Sequence, residues 1–312
     1  MGWGRGRGHR VPAQRETSIA DVNSPDDPLP RHKNDFDRVY DLDDPSPYFN
    51  ALRPSDYRMP GVLAGALRAI HGAACSARGA GGALRVLDFA CGYGAVGALL
   101  RHSVAMADLY ARYAGRSWQR GDGRKFWPED ARHFAARREG SEAFEIGGTD
   151  IARTALDYAV AMGFLDFAFH ENLVDCAPSE AMGRFVSGAD LVVESGSLGE
   201  LLPVAFERVL EEAGARPPWF LFCPRPDLDW LPLDALWAKR DYRSESLGTE
   251  PVRYRRPLGA PERADMLRAT RALGKSDDSV MRDGYLLVDL MLARPEADVA
   301  NPPIGQMRAS YD

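Results

Sequence analysis

Cysteine is scarce in this chain, with four residues in 312. Cys75, Cys91, Cys176 and Cys223 lie far apart and form no CxxC pair. Disulfide frameworks and zinc sites need denser spacing, so reduced thiols and no metal are expected. The six histidines are equally dispersed, with neither HxH nor HExxH among them. A surplus of positive charge is also missing: 39 Lys and Arg stand against 45 Asp and Glu, a net charge of -6. That removes the broad positive field on which non-specific nucleic-acid binding depends. A small molecule is therefore the expected partner, and nucleic acid is not. No apolar run approaches the roughly 20 residues of a membrane span. The basic stretch Met1–Arg10 is not followed by the apolar segment of a secretory signal, so a cytoplasmic location is expected. No internal repeat is visible, and no feature speaks for an oligomeric state.

What remains is ordinary globular material, 45% hydrophobic and 27% charged, enough for a sizeable core. At about 150 residues per domain the length suits two domains, or one α/β domain with additions. Residues 1–45, rich in Gly, Pro, Arg and Asp, read as a disordered tail; their short Gly-Arg run could touch RNA. Residues 46–82 read as a helical cap, with Val62, Leu63, Leu67 and Ile70 at helical spacing between Pro60 and Ala74. From 83 to 296 apolar strands alternate with amphipathic helices. Strands are expected at Leu84–Asp88, Phe144–Thr149, Phe167–Glu171, Asp190–Glu194, Trp219–Cys223, Tyr242–Gly248 and Tyr285–Ala293. Helices are expected at Ala152–Met162 and Ser197–Ala213. Such alternation predicts a mostly parallel, Rossmann-like seven-stranded sheet covered on both faces. The long last strand before Pro295 would be antiparallel and suits an edge. Residues 102–143 exceed an ordinary crossover and read as a helical insertion, with Ser103 capping a helix through Met106, Leu109, Tyr110 and Tyr113, and a second helix at Asp130–Arg138. Residues 297–312 read as a C-terminal tail.

The stretch from Arg85 to Gly97, RVLDFACGYGAVG, carries the most information. A strand enters a Gly-rich turn and a helix leaves it, with Gly92 and Gly94 allowing tight geometry and close approach of a ligand. Gly92, Gly94 and Gly97 also satisfy the dinucleotide fingerprint GxGxxG. Asp88 separates the two readings. A carboxylate four residues before the first glycine would repel a pyrophosphate, whereas it would attract the cations of a cofactor with an amino-acid tail and a sulfonium.

The pattern Asp88-x-x-Cys91-Gly92-x-Gly94 resembles motif I of class I S-adenosylmethionine-dependent methyltransferases, most of which have Gly where Ala90 stands. Across residues 46–295 the chain is most similar to a group of bacterial small-molecule methyltransferases. Shared elements are Pro47-Tyr48-Phe49, Asp56-Tyr57-Arg58-Met59-Pro60, the helix Leu109 to Tyr113, and the ending Gly284 to Pro295. The resemblance implies S-adenosylmethionine as cofactor, held by Tyr57, by Asp88 to Gly94 (Ala90, Cys91, Gly92 and Tyr93 included) and by Asp150 with Ile151. Asp150 would grip the ribose hydroxyls, or cap the helix that follows. It lies 62 residues after Asp88, against a usual spacing of about 20, and the insertion accounts for the difference. Glu171, Asn172 and Leu173 would meet the adenine edge.

Asp190 to Ser197 resembles motif IV, beneath the reactive methyl, which makes Glu194 the candidate catalytic base; a cap or a cofactor ligand is the alternative. His170 falls on the adenine side. Tyr110 and Tyr113 wall the acceptor site or belong to the core. Arg243, Arg253, Arg255 and Arg256 form a surface strand or bind an anionic acceptor. The implied activity is O- or N-methylation of a small molecule. A nicotinamide-dependent oxidoreductase, a non-catalytic cofactor-binding protein on the same fold and an RNA methyltransferase are the competing readings.

Overall fold

The computed structural model describes residues 39–79, 81–116, 121–139, 141–197 and 199–311. Of the tail expected for residues 1–45, residues 1–38 lie outside these. In chain order the strands are β1 (Leu84–Phe89), β2 (Phe144–Asp150), β3 (Phe167–His170), β4 (Leu191–Glu194), β5 (Trp219–Phe222), β6 (Tyr242–Ser246), β7 (Val252–Arg255), β8 (Met281–Arg282), β9 (Tyr285–Val288) and β10 (Met291–Pro295). Seven of them form one sheet in the order β3-β2-β1-β4-β5-β10-β6. Pairings from β3 to β5 are parallel, and β10 runs antiparallel to both neighbours. This is the expected Rossmann-like sheet.

Period-two burial explains why these residues form a two-faced sheet. Leu84 and Val86 of β1 enter one core, Leu87 and Phe89 the other; Trp219 and Leu221 of β5 oppose Phe220 and Phe222 in the same way. Each such fully buried side chain contributes about 1.5–3 kcal/mol. The first core is covered by α2 (Met59–Arg78), α3 (Ala95–Arg101) and α6 (Arg153–Ala161), the second by α7 (Glu180–Val186), α8 (Leu202–Glu212) and α9 (Leu231–Lys239). Pro60 opens α2, and Gly79 closes it in the left-handed conformation. That helix outlasts the expected end at Ala74 because Arg78 is buried, donating to the carbonyls of Arg216 and Pro217 at 2.8 and 2.9 Å.

Three expectations about the fold need correction. The stretch Tyr285–Ala293 is two strands rather than one. The chain breaks at Asp289, and β9 pairs with β7 and β8 in a separate three-stranded sheet. Second, β10 is not an edge: it lies between β5 and β6, with Leu292, Ala293 and Arg294 completely buried. Third, Ser103 does not cap a helix. The helix α4 (Met106–Tyr113) starts after Ala105, whose N–H donates to the Asp108 carboxylate at 2.8 Å.

The insertion is helical and is held by a buried acid. Its α5 (Trp127–Ala135) starts three residues earlier than expected, with Pro128 in its first turn. Asp130, fully buried, accepts from Arg112, Arg116 and the Tyr158 hydroxyl. Burial alone would raise its pKa, but the two guanidinium groups hold it below the usual carboxylate value. Tyr113 stacks on Phe49 at 4.6 Å, and the Tyr110 hydroxyl donates to the Tyr57 carbonyl, so both belong to the core.

Order starts earlier than residue 46. Leu42 and Asp44 are buried, and the Tyr93 hydroxyl both accepts from Leu42 N–H at 2.9 Å and donates to its carbonyl at 2.8 Å. Trp127 donates to the Asp43 carbonyl at 2.7 Å. Asp44 accepts from the backbone N–H and hydroxyl of Ser46 at the start of α1 (Ser46–Leu52). Residues 39–45 thus form a strap across the carboxyl ends of the strands. The sequence shows no helical or strand period here because the strap is held by single side-chain contacts.

Candidate active site

After β1 the chain turns with φ of 52° at Ala90, 52° at Gly92 and 71° at Gly94. A non-glycine in that region costs roughly 1–2 kcal/mol, which is why Gly is the residue favoured where Ala90 stands. The three glycines divide their roles. A Cβ on Gly94 would lie 2.8 Å from Ala159 Cβ, and one on Gly97 would lie 2.3 Å from the Phe164 carbonyl oxygen. Both therefore allow α3 to sit close to the segment around α6. A Cβ on Gly92 would meet the Tyr40 hydroxyl at 2.7 Å, so only Gly92 faces the strap.

Register brings three acids together. Phe89 pairs with Thr149 on one side and Glu194 on the other, so Asp88, Asp150 and Glu194 sit at the ends of three adjacent strands. They are 1%, 5% and 1% exposed. Burial, then Asp150 and Glu194, push the Asp88 carboxyl well above its ordinary value. Burial also raises Asp150, partly offset by N–H groups of Ala152 and Gly92. Those donors lie at 2.9 and 2.8 Å, and the Tyr40 hydroxyl donates to the same carboxylate at 3.1 Å. Asp150 therefore caps the turn before α6 and ties the glycine loop as well. Asp88 Oδ2 and Thr149 Oγ1 are buried with no hydrogen-bond partner. A buried carboxylate without a partner is costly, and a cation or a hydrogen-bond donor removes that cost.

Two cavities open at this edge. The larger, about 390 Å³, is lined by Phe89, Ala90, Thr149, Asp150, Glu171, Asn172 and Leu173, among others. The smaller, about 240 Å³, is lined by Tyr48, Leu52, Ser55, Tyr57, Gly196, Tyr254, Arg255 and Leu258. Tyr40, Ile151 and Ser197 border both. The Tyr57 hydroxyl donates to the Ser195 carbonyl at 2.7 Å, and that of Tyr254 to the Gly196 carbonyl at 3.1 Å. Burial raises the hydroxyl pKa of Tyr40, Tyr48, Tyr57 and Tyr254, so these groups keep their protons.

The residues singled out from the sequence separate accordingly. Ala90, Asp150, Ile151, Glu171, Asn172 and Leu173 line the larger cavity, with Asp88 and Gly92 beside it. Asn172 Nδ2 donates to Asp175 at 2.7 Å, and Glu171 accepts from the N–H and hydroxyl of Ser179. Tyr57 lines the smaller cavity instead. Tyr93 lines neither, because its hydroxyl is occupied by Leu42. Cys91 lies against the backbone, its sulfur 2.7 Å from where a Gly148 Cβ would stand. Glu194 is not on either cavity wall; one of its oxygens accepts from the Ser197 N–H, which makes it a cap of the turn after β4. His170 is fixed as a structural link, accepting from Arg153 and donating to the Ile151 carbonyl, both at 2.8 Å. Of the candidate anion-binding arginines, Arg243 pairs with Glu296, Arg253 with Asp283 and Arg255 with Glu262.

Tyr40 and Thr149 escaped the reading of the sequence. Tyr40 sits in a Pro- and Asp-rich stretch, and only the aromatic run that continues through Tyr48 and Phe49 hints at it. Thr149 precedes the more conspicuous Asp150.

No family model matches the chain, and no curated protein matches it. Solved structures that it resembles include a TehB-like SAM-dependent methyltransferase from Corynebacterium glutamicum, 15% identical, covering 73% of this chain and 86% of that one at a TM-score of 0.36. The 4+2 cyclase SpnF is 12% identical, with 72% and 80% covered at 0.34. The plantazolicin methyltransferase BpumL, in complex with a monoazolic desmethylPZN analog and SAH, is 12% identical, with 74% and 85% covered at 0.34.

Proposed function

We propose that the chain transfers a methyl group from S-adenosylmethionine to a small molecule, with the larger cavity as the donor site and the smaller as the acceptor site. The observation that carries this reading is the buried, unpartnered Asp88 Oδ2, flanked by the unpartnered Thr149 hydroxyl and by Asp150. A ligand with cationic and hydroxyl groups satisfies Asp88 and Thr149 and adds to the three donors that Asp150 already has. Asp88 takes the cationic amino-acid end, Asp150 the ribose hydroxyls, and the segment Glu171–Leu173 the adenine edge. When bound, the sulfonium supplies an activated methyl carbon, so the protein's own task is alignment and exclusion of water. Tyr40, Ile151 and Ser197, shared by both cavities, stand where donor and acceptor meet. Glu194 acts by fixing Ser197 rather than as a base.

A nicotinamide dinucleotide suits the site less well. The Gly92 N–H that would bind a phosphate is already given to Asp150, and the buried acids would repel a pyrophosphate. Incubation with methyl-labelled S-adenosylmethionine and a small-molecule extract tests the proposal. Label is expected in a small molecule; label in RNA or protein alone, or none at all, contradicts it.

A further inference from the structure

The acceptor cavity has a hydrogen-bond polarity that selects its ligand. Three hydroxyl groups on its wall have their protons directed into the protein: Tyr40 to Asp150, Tyr57 to the Ser195 carbonyl and Tyr254 to the Gly196 carbonyl. A hydroxyl that has donated its one proton retains only lone pairs. These three can therefore only accept from a ligand.

The charged side chain on this wall does not reverse that polarity. Arg255 is forked onto Glu262 at 2.9 and 2.8 Å, both side chains being buried, and it donates further to the Arg256 carbonyl at 3.1 Å. Glu262 is tied in turn by the Leu258 N–H at 2.7 Å. The pair is electrically closed, with most of the guanidinium protons used. The Arg255 guanidinium also lies over the Tyr254 ring, 5.7 Å from its centroid. Tyr57 and Tyr254 stand edge to face at 5.5 Å, as do Tyr40 and Tyr48 at 5.4 Å. Among the described residues lining the cavity there is no carboxylate or imidazole to take a proton from an alcohol.

Resting on the methyl-transfer reading above, we infer that the acceptor is an amine, methylated on nitrogen, whose N–H groups donate to these hydroxyl oxygens. An amine is largely an ammonium near neutral pH and gives one proton to water before attack, which frees the nitrogen lone pair. Forming the N–CH₃ bond breaks the sulfonium C–S bond, leaves its electron pair on sulfur and transfers the positive charge to nitrogen. The product ammonium then loses its proton to water, so the reaction asks no base of the wall. A carboxylate, by contrast, would meet the oxygen lone pairs of Tyr40, Tyr57 and Tyr254.

Binding of benzylamine, benzyl alcohol and benzoate to the full chain, with S-adenosylhomocysteine present, tests the inference directly. Benzylamine is expected to bind at least tenfold more tightly than either isostere, and Tyr254→Phe to remove several-fold of that preference. Equal affinities, preference for benzoate or alcohol, or no binding of any of the three overturns it. The labelled product of the extract experiment gives a second readout. It should be held by a cation exchanger and keep its label in mild alkali; release of labelled methanol marks an ester and contradicts the amine. Binding of S-adenosylhomocysteine itself separates the two claims. Its absence defeats the donor site, whereas its presence without amine preference defeats this inference alone.

Discussion

A carboxyl group buried between two further acids must hold either a proton or a cation, and Asp88 is in that position. With its pKa raised in the folded state, it binds more protons folded than unfolded. Its contribution to stability is then complete below the ordinary carboxylate pKa of 3.8 and is lost as pH rises from there through the raised folded value. Asp88→Asn should therefore raise the melting temperature of the ligand-free chain at pH 7 while reducing affinity for S-adenosylhomocysteine by tenfold or more. Scanning calorimetry and titration on the same variant check both; a melting point that falls without loss of affinity would contradict the role given to Asp88. This residue was legible in the sequence because a charge so close to a glycine loop discriminates between ligands. Asp150 was legible as the acid ending the second strand, but its bond to the Gly92 N–H was not, since 58 residues separate them. Tyr57 and Tyr93 show the limit of such reading. Both flank recognisable motifs, yet their hydroxyls are spent on Ser195 and Leu42.

At the scale of elements, the strand–turn–helix around the loop depends on how closely α3 approaches the chain after α6. Gly97 has no room for a methyl group, with the Phe164 carbonyl 2.3 Å from its Cβ position and unable to move as a side chain could. Gly97→Ala should cost about 1–3 kcal/mol, seen as a lower urea midpoint with an unchanged slope. Wild-type stability would mean that α3 moves freely. Strands β1, β4 and β5 were readable to within a residue because each is apolar on both faces. The same continuous apolarity hid the break at Asp289, since β9 and β10 are both buried although they belong to different sheets. The insertion was readable as helical but not its purpose. Asp130, an ordinary helix-start acid in the sequence, proves to be the fully buried anchor of Arg112, Arg116 and Tyr158.

For the molecule as a whole, the strap 39–45 makes one site out of separate elements. It joins the insertion through Trp127, the glycine loop through Tyr93 and the end of β2 through Tyr40. Tyr93→Phe would leave the buried N–H and carbonyl of Leu42 without that partner, at a cost of about 1–3 kcal/mol. It should also speed proteolysis within the strap; unchanged stability and digestion would show that the strap is held by other contacts. The strap lies at the carboxyl ends of the strands, the edge at which open α/β sheets bind their ligands. Among the described residues no helix is long and apolar enough to cross a membrane.

The most direct test of the donor site is the thermal midpoint of the full chain with S-adenosylhomocysteine or with NAD, each titrated to saturation. A ligand at a hundred times its Kd stabilises the folded state by about 2.7 kcal/mol, a rise of roughly 4–5 °C for a chain of this length. The buried acids predict that rise for S-adenosylhomocysteine and none for NAD; a rise with NAD and none with S-adenosylhomocysteine would contradict the account.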